Sequence, residues 1–172
     1  QGARAGKAAD AAQARLARVD ALEHQVSASL RLNDPAAALK ASDHLVENAG
    51  TRAYRAQTLT SRGTIARDAD QRDLAIKSYA TVVAELPETP SAAAALDALR
   101  GLNAVNAVAP DEAPAVLYFA GRYGEAVPLL RAAIDGGLPS PERTARARFY
   151  LGQALFRLDA VDEGVAQLKR VA

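Results

Sequence analysis

Apolar side chains recur along this chain at spacings of three and four, interrupted by short polar or Gly-bearing breaks. Leu16, Val19, Leu22, Val26 and Leu30 form the first stripe, the period of an amphipathic helix. Asn33-Asp34-Pro35 ends it. Asp34 is placed to cap a second helix, with Pro35 at its first position, where a missing N–H costs nothing. That helix presents Ala38, Leu39, Leu45 and Val46 and stops near Gly50. Thr51 caps a third, carrying Tyr54, Leu59 and Ile65, and Asp70-Gln71-Arg72-Asp73 turns the chain into a fourth, with Leu74, Ile76, Tyr79, Val82, Val83 and Leu86. Thr89-Pro90 opens a fifth, which runs to about Leu102. Residues 103–110 lack a clear period and read as a helix end plus a loop, the weaker junction of the chain. A helix then starts at Asp111 or Glu112 and runs to Phe119 or Ala120. Gly121-Arg122-Tyr123-Gly124 is the turn into the next, which holds Ala126, Val127, Leu129, Leu130 and Ile134, carries Pro128 near its first turn and ends at Gly136-Gly137. Ser140-Pro141-Glu142 opens a last pair, Pro141–Leu158 and Val161–Val171, hinged at Asp159. No stretch alternates with period two, so no sheet is expected. The expectation is an all-α chain of about nine helices, with a flexible lead-in over 1–7 and one helical domain over 8–172.

The stripes also repeat in phase. Ala38/Ser42/Leu45, Ala75/Tyr79/Val82, Ala126/Leu130/Ala133 and Gly164/Leu168/Val171 each place a small residue just after a break, with packing residues four and seven positions on. The small residues are 37, 51 and 38 positions apart, so the array is divergent, and its long middle step holds the extra helix near 90–104. A small residue at a fixed phase lets two helices of a hairpin cross closely. Gly63 and Gly152 each stand twelve residues before Ala75 and Gly164, so a small residue is expected to face a small residue in both hairpins. A glycine inside a helix costs about 1 kcal/mol relative to alanine, which makes a paired interior glycine a sign of tight packing.

Helix–turn–helix units with a period of roughly 34 residues are the layout of the tetratricopeptide repeat. Ala145–Ala172, through Leu151-Gly152, Leu155, Gly164, Leu168 and Val171, resembles such a unit, as does Ala56–Thr89 through Leu59, Gly63, Ala75, Tyr79, Val82 and Pro87. Gly121-Arg122-Tyr123-Gly124-Glu125-Ala126 is similar to the family's Gly-x-Tyr-x-x-Ala entry into its second helix. Gly164 replaces the usual Ala, and Pro114 stands where the family has Gly. The resemblance covers about two thirds of the chain and implies a right-handed α-α solenoid that holds a partner and does no chemistry. A second resemblance is narrower. Leu117 to Ala126, followed by Ala147 to Leu155, is similar to the α-superhelical region that precedes the catalytic domain of some bacterial soluble lytic transglycosylases. That family cleaves peptidoglycan glycan strands with a Glu in a Glu-Ser context, and this chain has no Glu-Ser. The resemblance therefore implies a non-catalytic superhelical arm or a repeat relative in the cell envelope.

Composition narrows the chemistry. With 21 basic and 20 acidic residues, the formal charge of +1 gives no electrostatic footprint for nucleic acid or an anionic membrane. There is no Cys, which removes disulfides, thiolate nucleophiles and Cys-based metal sites. His24 and His44 are the only histidines and have no metal-ligand spacing, so no metal and no cofactor are expected. Gly136-Gly137 lacks the following Lys-Ser/Thr of a phosphate loop, and Gly-x-Ser-x-Gly is absent. No apolar run approaches the roughly 20 residues that span a bilayer. A chain opening on Gln1 with no Met implies processing or excision from a longer chain. Either allows a removed signal peptide, and an exported or periplasmic location is expected over a cytoplasmic one.

Four features remain as candidate sites. Asp111/Glu112 and Asp162/Glu163 stand at helix starts, where the macrodipole favours acids over paired acid/base work. Arg143, Arg146 and Arg148 cluster on one helix and read first as a solvated face, second as a site for an anionic partner. The carboxylate clamp that the tetratricopeptide resemblance brings from chaperone-binding members is missing, since its positions hold Glu23, Ser27, Thr60 and Thr64. The aromatics of the last third are the sharpest clue. In the tetratricopeptide layout the first helix of each unit lines the concave wall, and that phase sets Tyr118, Phe119, Phe149, Tyr150, Gln153, Phe156 and Arg157 on or near it. Tyr118, Phe149, Tyr150, Gln153 and Arg157 are the candidate partner-binding residues. The plainer alternative is that these rings pack between helices. The leading functional expectation is a non-catalytic interaction or scaffolding domain of a bacterial cell-envelope protein, binding a protein or peptide. The alternatives are the arm of a lytic transglycosylase, meeting peptidoglycan glycan strands, and a cytoplasmic protein-binding module.

Overall fold

Among the residues that the computed structural model describes, 2–171 with side chains from Asp10 onward, the chain forms nine α-helices and no strand. They are α1 (Gly2–Arg31), α2 (Pro35–Asn48), α3 (Arg52–Asp68), α4 (Arg72–Glu85), α5 (Pro90–Gly101), α6 (Glu112–Phe119), α7 (Tyr123–Asp135), α8 (Pro141–Arg157) and α9 (Val161–Leu168), with one 3-10 turn at Val105–Ala107. The all-α expectation holds. Two boundaries differ: α1 already covers Gly2–Lys7, where the sequence reads as a loose lead-in, and α9 ends at Leu168, short of Val171; Gln1 lies outside the described residues. Alanines at 3, 5, 8 and 9 carry helix propensity across Gly2 and Gly6.

The caps form largely as read. Asp34 accepts the Ala37 N–H at 2.9 Å and Thr51 accepts that of Tyr54 at 3.1 Å. Ser140 accepts the Arg143 N–H at 3.3 Å, with Pro141 at the first helical position. Thr89 is an exception. Its hydroxyl donates back to the Leu86 carbonyl at 2.7 Å and makes no cap bond to α5.

A stronger repeat lies in the backbone. Asn33, Asp70, Asn103, Gly121 and Asp159 all adopt positive φ, between 51° and 73°. Each follows a helix end, and in each case the next residue's N–H reaches back to the carbonyl five positions earlier: Asp34 to Ser29, Gln71 to Ala66, Ala104 to Leu99, Arg122 to Leu117 and Ala160 to Leu155. This is the Schellman closure, which satisfies the last carbonyls of a helix by passing one residue through the left-handed region. Asn, Asp and Gly occupy that region at least cost. In four of the five turns the small residue of the next helix stands five positions beyond the left-handed residue: Ala38, Ala75, Ala126 and Gly164. After Asn103 no long helix follows; the 3-10 turn intervenes before α6.

The chain gathers into two compact units that meet within α4, between Ser78 and Tyr79. In the first unit α1 packs on α2 and α2 on α3. Its core holds Ala38, Leu39, Leu45, Ala56, Leu59 and Ile65. The stripe along α1 is only partly used: Val19, Leu22 and Val26 are half-buried, whereas Leu16 is 70% exposed. Arg15 instead ties α1 to the end of α2, donating to the carbonyls of Asn48 at 3.0 Å and Ala49 at 2.8 Å, where a helix presents its negative end. Arg62 of α3 spans its neighbours, reaching Asp43 of α2 at 2.6 Å and Ser78 of α4 at 2.7 Å.

In the second unit α6 packs on α5, α7 and α8, and α8 packs on both α7 and α9. Tyr79, Leu86, Leu96, Leu99, Leu117, Leu130 and Leu151 are its largest fully buried side chains. The phased triads are buried at Ala75/Tyr79/Val82 and Ala126/Leu130/Ala133, but the last fades outward, from buried Gly164 through half-buried Leu168 to exposed Val171.

Candidate functional site

The second unit assembles five aromatic rings from α6, α8 and the first residue of α7. Tyr118 and Tyr150 stack with centroids 4.8 Å apart and planes 24° from parallel. Phe119 stands nearly perpendicular to both, 5.2 Å from Tyr118 and 5.4 Å from Tyr150. Phe149 meets Tyr150 edge-on at 6.0 Å, and Tyr123 lies 5.9 Å from Tyr118. These offset and edge-to-face arrangements suit the ring quadrupoles, each pair contributing about 0.5–1.5 kcal/mol beyond its burial. The cluster is not sealed. Phe119 is 43% and Phe149 44% exposed, with the three tyrosines half-buried beside them.

The backbone explains the convergence. Gly121 closes α6 through a left-handed residue, so the chain reverses within four residues and Tyr123 returns to the ring of Tyr118. On α8, Phe149 and Tyr150 are adjacent, and Arg146 stands one turn before Tyr150. Burial raises the Tyr150 phenol above its ordinary range, and the charge of Glu88 adds to this while that of Arg146 opposes it.

Of the residues singled out from sequence, Tyr118, Phe149 and Tyr150 are brought into one cluster. Gln153, half-buried, and exposed Arg157 continue along α8 at three and seven residues beyond Tyr150, on the same helix face. Phe156 belongs elsewhere. A Cβ built on Gly164 would lie 3.3 Å from its ring, so Phe156 packs inside the α8–α9 hairpin. Tyr123 joins the cluster without having been singled out as a contact residue; the Gly-x-Tyr spacing after a helix end is the signal that places it.

The basic cluster on α8 is also not the open patch that its sequence implies. Arg143 makes a two-pronged pair with Asp111, through Nε at 3.0 Å and through Nη2. Arg146 reaches the same carboxylate at 3.2 Å, and Arg148 donates to Gln167 at 3.1 Å. Asp111, only 3% exposed, makes no cap bond to α6; it is the anchor between α6 and α8. Burial pushes its carboxyl up, but hydrogen bonds from Arg143 and Arg146 and the charge of Arg143 outweigh that and hold it below the usual carboxylate range. Glu112 accepts the Ala109 N–H at 2.8 Å and so closes the loop before α6.

A separate apolar hollow of about 360 Å³ opens beneath the 3-10 turn, lined by Val105, Val108, Pro110, Pro114 and Leu129 among others. Among the described residues no group of His, Asp or Glu is arranged to hold a metal ion, and no helix is long and apolar enough to cross a membrane. Comparison with protein-family models, with curated proteins and with solved structures finds no match for this chain.

Proposed function

We propose that this chain is a non-catalytic interaction module of tetratricopeptide-like construction, a right-handed α-α solenoid that docks a protein or peptide partner on the rings of α6 and α8. The observation that carries this reading is the half-exposed cluster of Tyr118, Phe119, Phe149 and Tyr150. Rings that served only the core would be driven to full burial, as Tyr79 is at 1% exposure. Large rings held rigid by one another present contact area with little entropy left to lose, which is why aromatic side chains dominate binding hot spots. The five helix ends that share one Schellman geometry support the repeat construction.

The same rings suit a second occupant. The flat, weakly polar faces of Tyr and Phe complement sugar rings as well as peptide side chains, so the resemblance to a lytic-transglycosylase arm keeps peptidoglycan glycan strands as the alternative ligand. Affinity capture with wild type, Phe149→Ala and Tyr150→Ala, with the partner identified by mass spectrometry and glycan oligomers assayed alongside, separates them. Loss of about tenfold or more in partner recovery is the expected effect of removing Tyr150. Undiminished binding of every ligand by both variants overturns the assignment of this surface.

A further inference from the structure

The apolar hollow of about 360 Å³ in the second unit is bounded by the 3-10 turn, the start of α6 and the second half of α7. It lies where the helical repeat is interrupted. Residues 105–110, which line it, belong to the long step of 51 positions from Ala75 to Ala126. Insertions into a repeat array gather in loops on one face, often the face that binds. This loop is pinned in place. Ala104 is buried, Val108 donates its N–H to the Val105 carbonyl at 3.2 Å, and Ala109 donates to the Glu112 carboxylate at 2.8 Å. The loop nevertheless does not close on α7, since Val105 and Leu129, both lining the hollow, remain exposed. Apolar surface left open in a preformed concavity marks a ligand site.

The lining sets the chemistry of the ligand. No residue that lines the hollow is ionisable, and Asn106, itself exposed, supplies the one polar side chain. Pro110 and Pro114 have no N–H, and those of Val108 and Ala109 are already bonded. The polar groups that remain, chiefly the Asn106 amide and the N–H groups of Val105, Asn106 and Ala113, suit a polar atom at one edge of a ligand. An ion would leave water and meet no opposite charge. A peptide main chain brings an N–H and a C=O at nearly every residue and would find few partners here. Volume sets the size. An apolar cavity of about 150 Å³ takes up benzene, and this hollow has more than twice that room. We infer that it binds a small uncharged apolar molecule of about the size of a bicyclic aromatic, seated against Val105 and Val108 of the loop, Pro114 of α6 and Leu129 of α7.

The test uses the whole chain with indole as the probe. The chain has no Trp, so indole fluorescence reports the ligand alone, and amide chemical shifts locate it. Indole is expected to shift Val105, Val108, Ala113 and Ala132 with a dissociation constant on the order of 1 mM, fitting for so few atoms. Purine, a bicycle of the same size with ring nitrogens spread over both rings, should bind at least about tenfold more weakly. N-acetyl-tryptophan amide carries the indole on a peptide main chain and should bind no more tightly than indole does. Ala132 lines the hollow but is exposed, so Ala132→Phe fills the space without entering the core and should weaken indole at least about tenfold. Leu129→Asn, at another exposed position, makes the wall polar and should weaken it about threefold or more; it decides the matter if Ala132→Phe does not fold. The inference is overturned if indole leaves these residues unmoved, or moves only those of the ring cluster. Equal binding of purine, binding unchanged in a folded variant, or a peptide form about tenfold tighter than indole would each overturn it too, the last by making the hollow a socket for a partner's side chain. The hollow shares no residue with the ring cluster, so failure here leaves the Tyr150 surface standing, and the reverse.

Discussion

Gly152 of α8 and Gly164 of α9 face each other backbone to backbone across the last hairpin. A Cβ built on Gly164 would lie 3.0 Å from the Gly152 carbonyl oxygen, and one built on Gly152 would lie 3.1 Å from that of Gly164 and 2.8 Å from Leu168. The equivalent pair in the first unit, Gly63 and Ala75, is buried as well.

Gly152→Ala should therefore destabilise the protein, although alanine is the better helix former. The gain of about 1 kcal/mol in propensity is opposed by an overpacking cost of about 1–3 kcal/mol. Gly124, inside α7, has open space around its Cβ direction. Gly124→Ala should gain up to about 1 kcal/mol. Urea denaturation of both variants is the check, and opposite signs are expected.

The left-handed turns make a second contrast. Gly121 has φ of 73° and nothing near its Cβ direction, so Gly121→Ala should lose about 1 kcal/mol from backbone strain alone. Asp159→Gly, at φ of 65°, should be neutral to stabilising by a few tenths of a kcal/mol, to roughly 1 kcal/mol, for the same reason. Loss of stability in Asp159→Gly would mean that its side chain does more than tolerate the turn.

Asp111 anchors α6 to α8, and Asp111→Asn should cost roughly 1–3 kcal/mol by leaving Arg143 and Arg146 without their carboxylate. The pH dependence has a definite sign. The folded-state pKa of Asp111 is depressed, so its contribution is present above the unfolded value near 4 and is lost as pH falls through the lower folded one. Thermal melts between about pH 5 and 2 should show a shallower acid loss in Asp111→Asn than in wild type.

The Tyr54 phenol behaves in the opposite sense. Burial first, then the hydrogen bond and charge of Glu23, push it up to about 12 from 10.0. Stability linked to it is present in full below pH 10 and is lost as pH rises through about 12. Absorbance titration of tyrosinate should show late ionisation of both Tyr54 and Tyr150 in wild type. In Glu23→Gln the Tyr54 step alone should move down, but not to the ordinary value, because burial remains.

The range of an interaction decides whether a sequence reveals it. Asp34, Thr51 and Ser140 were legible as caps because a cap is settled within four residues. Thr89-Pro90 opens α5 as its sequence implies, although the Thr89 hydroxyl bonds the equally local Leu86 carbonyl instead of the helix N–H groups. The positions of Ala38, Ala75, Ala126 and Gly164 were legible because helix phase carries them from one turn to the next. Asp111 stands at the start of α6 as its sequence position implies, but its side-chain partners are not legible there, because Arg143 and Arg146 stand 32 and 35 residues away.

The amino-acid sequence by itself determined the helices, most of their caps and the phase of their small residues, since all of these rest on contacts within a turn or two of backbone. Only the tertiary structure decided which of eight aromatic rings share a surface, that Phe156 leaves it for Gly164, and that the α8 arginines are tied to Asp111 and Gln167. It also decided that Glu23 and Tyr54, 31 residues apart, are joined by a hydrogen bond. Those outcomes depend on how helices pack against one another, and periodicity along a single helix carries no information about that.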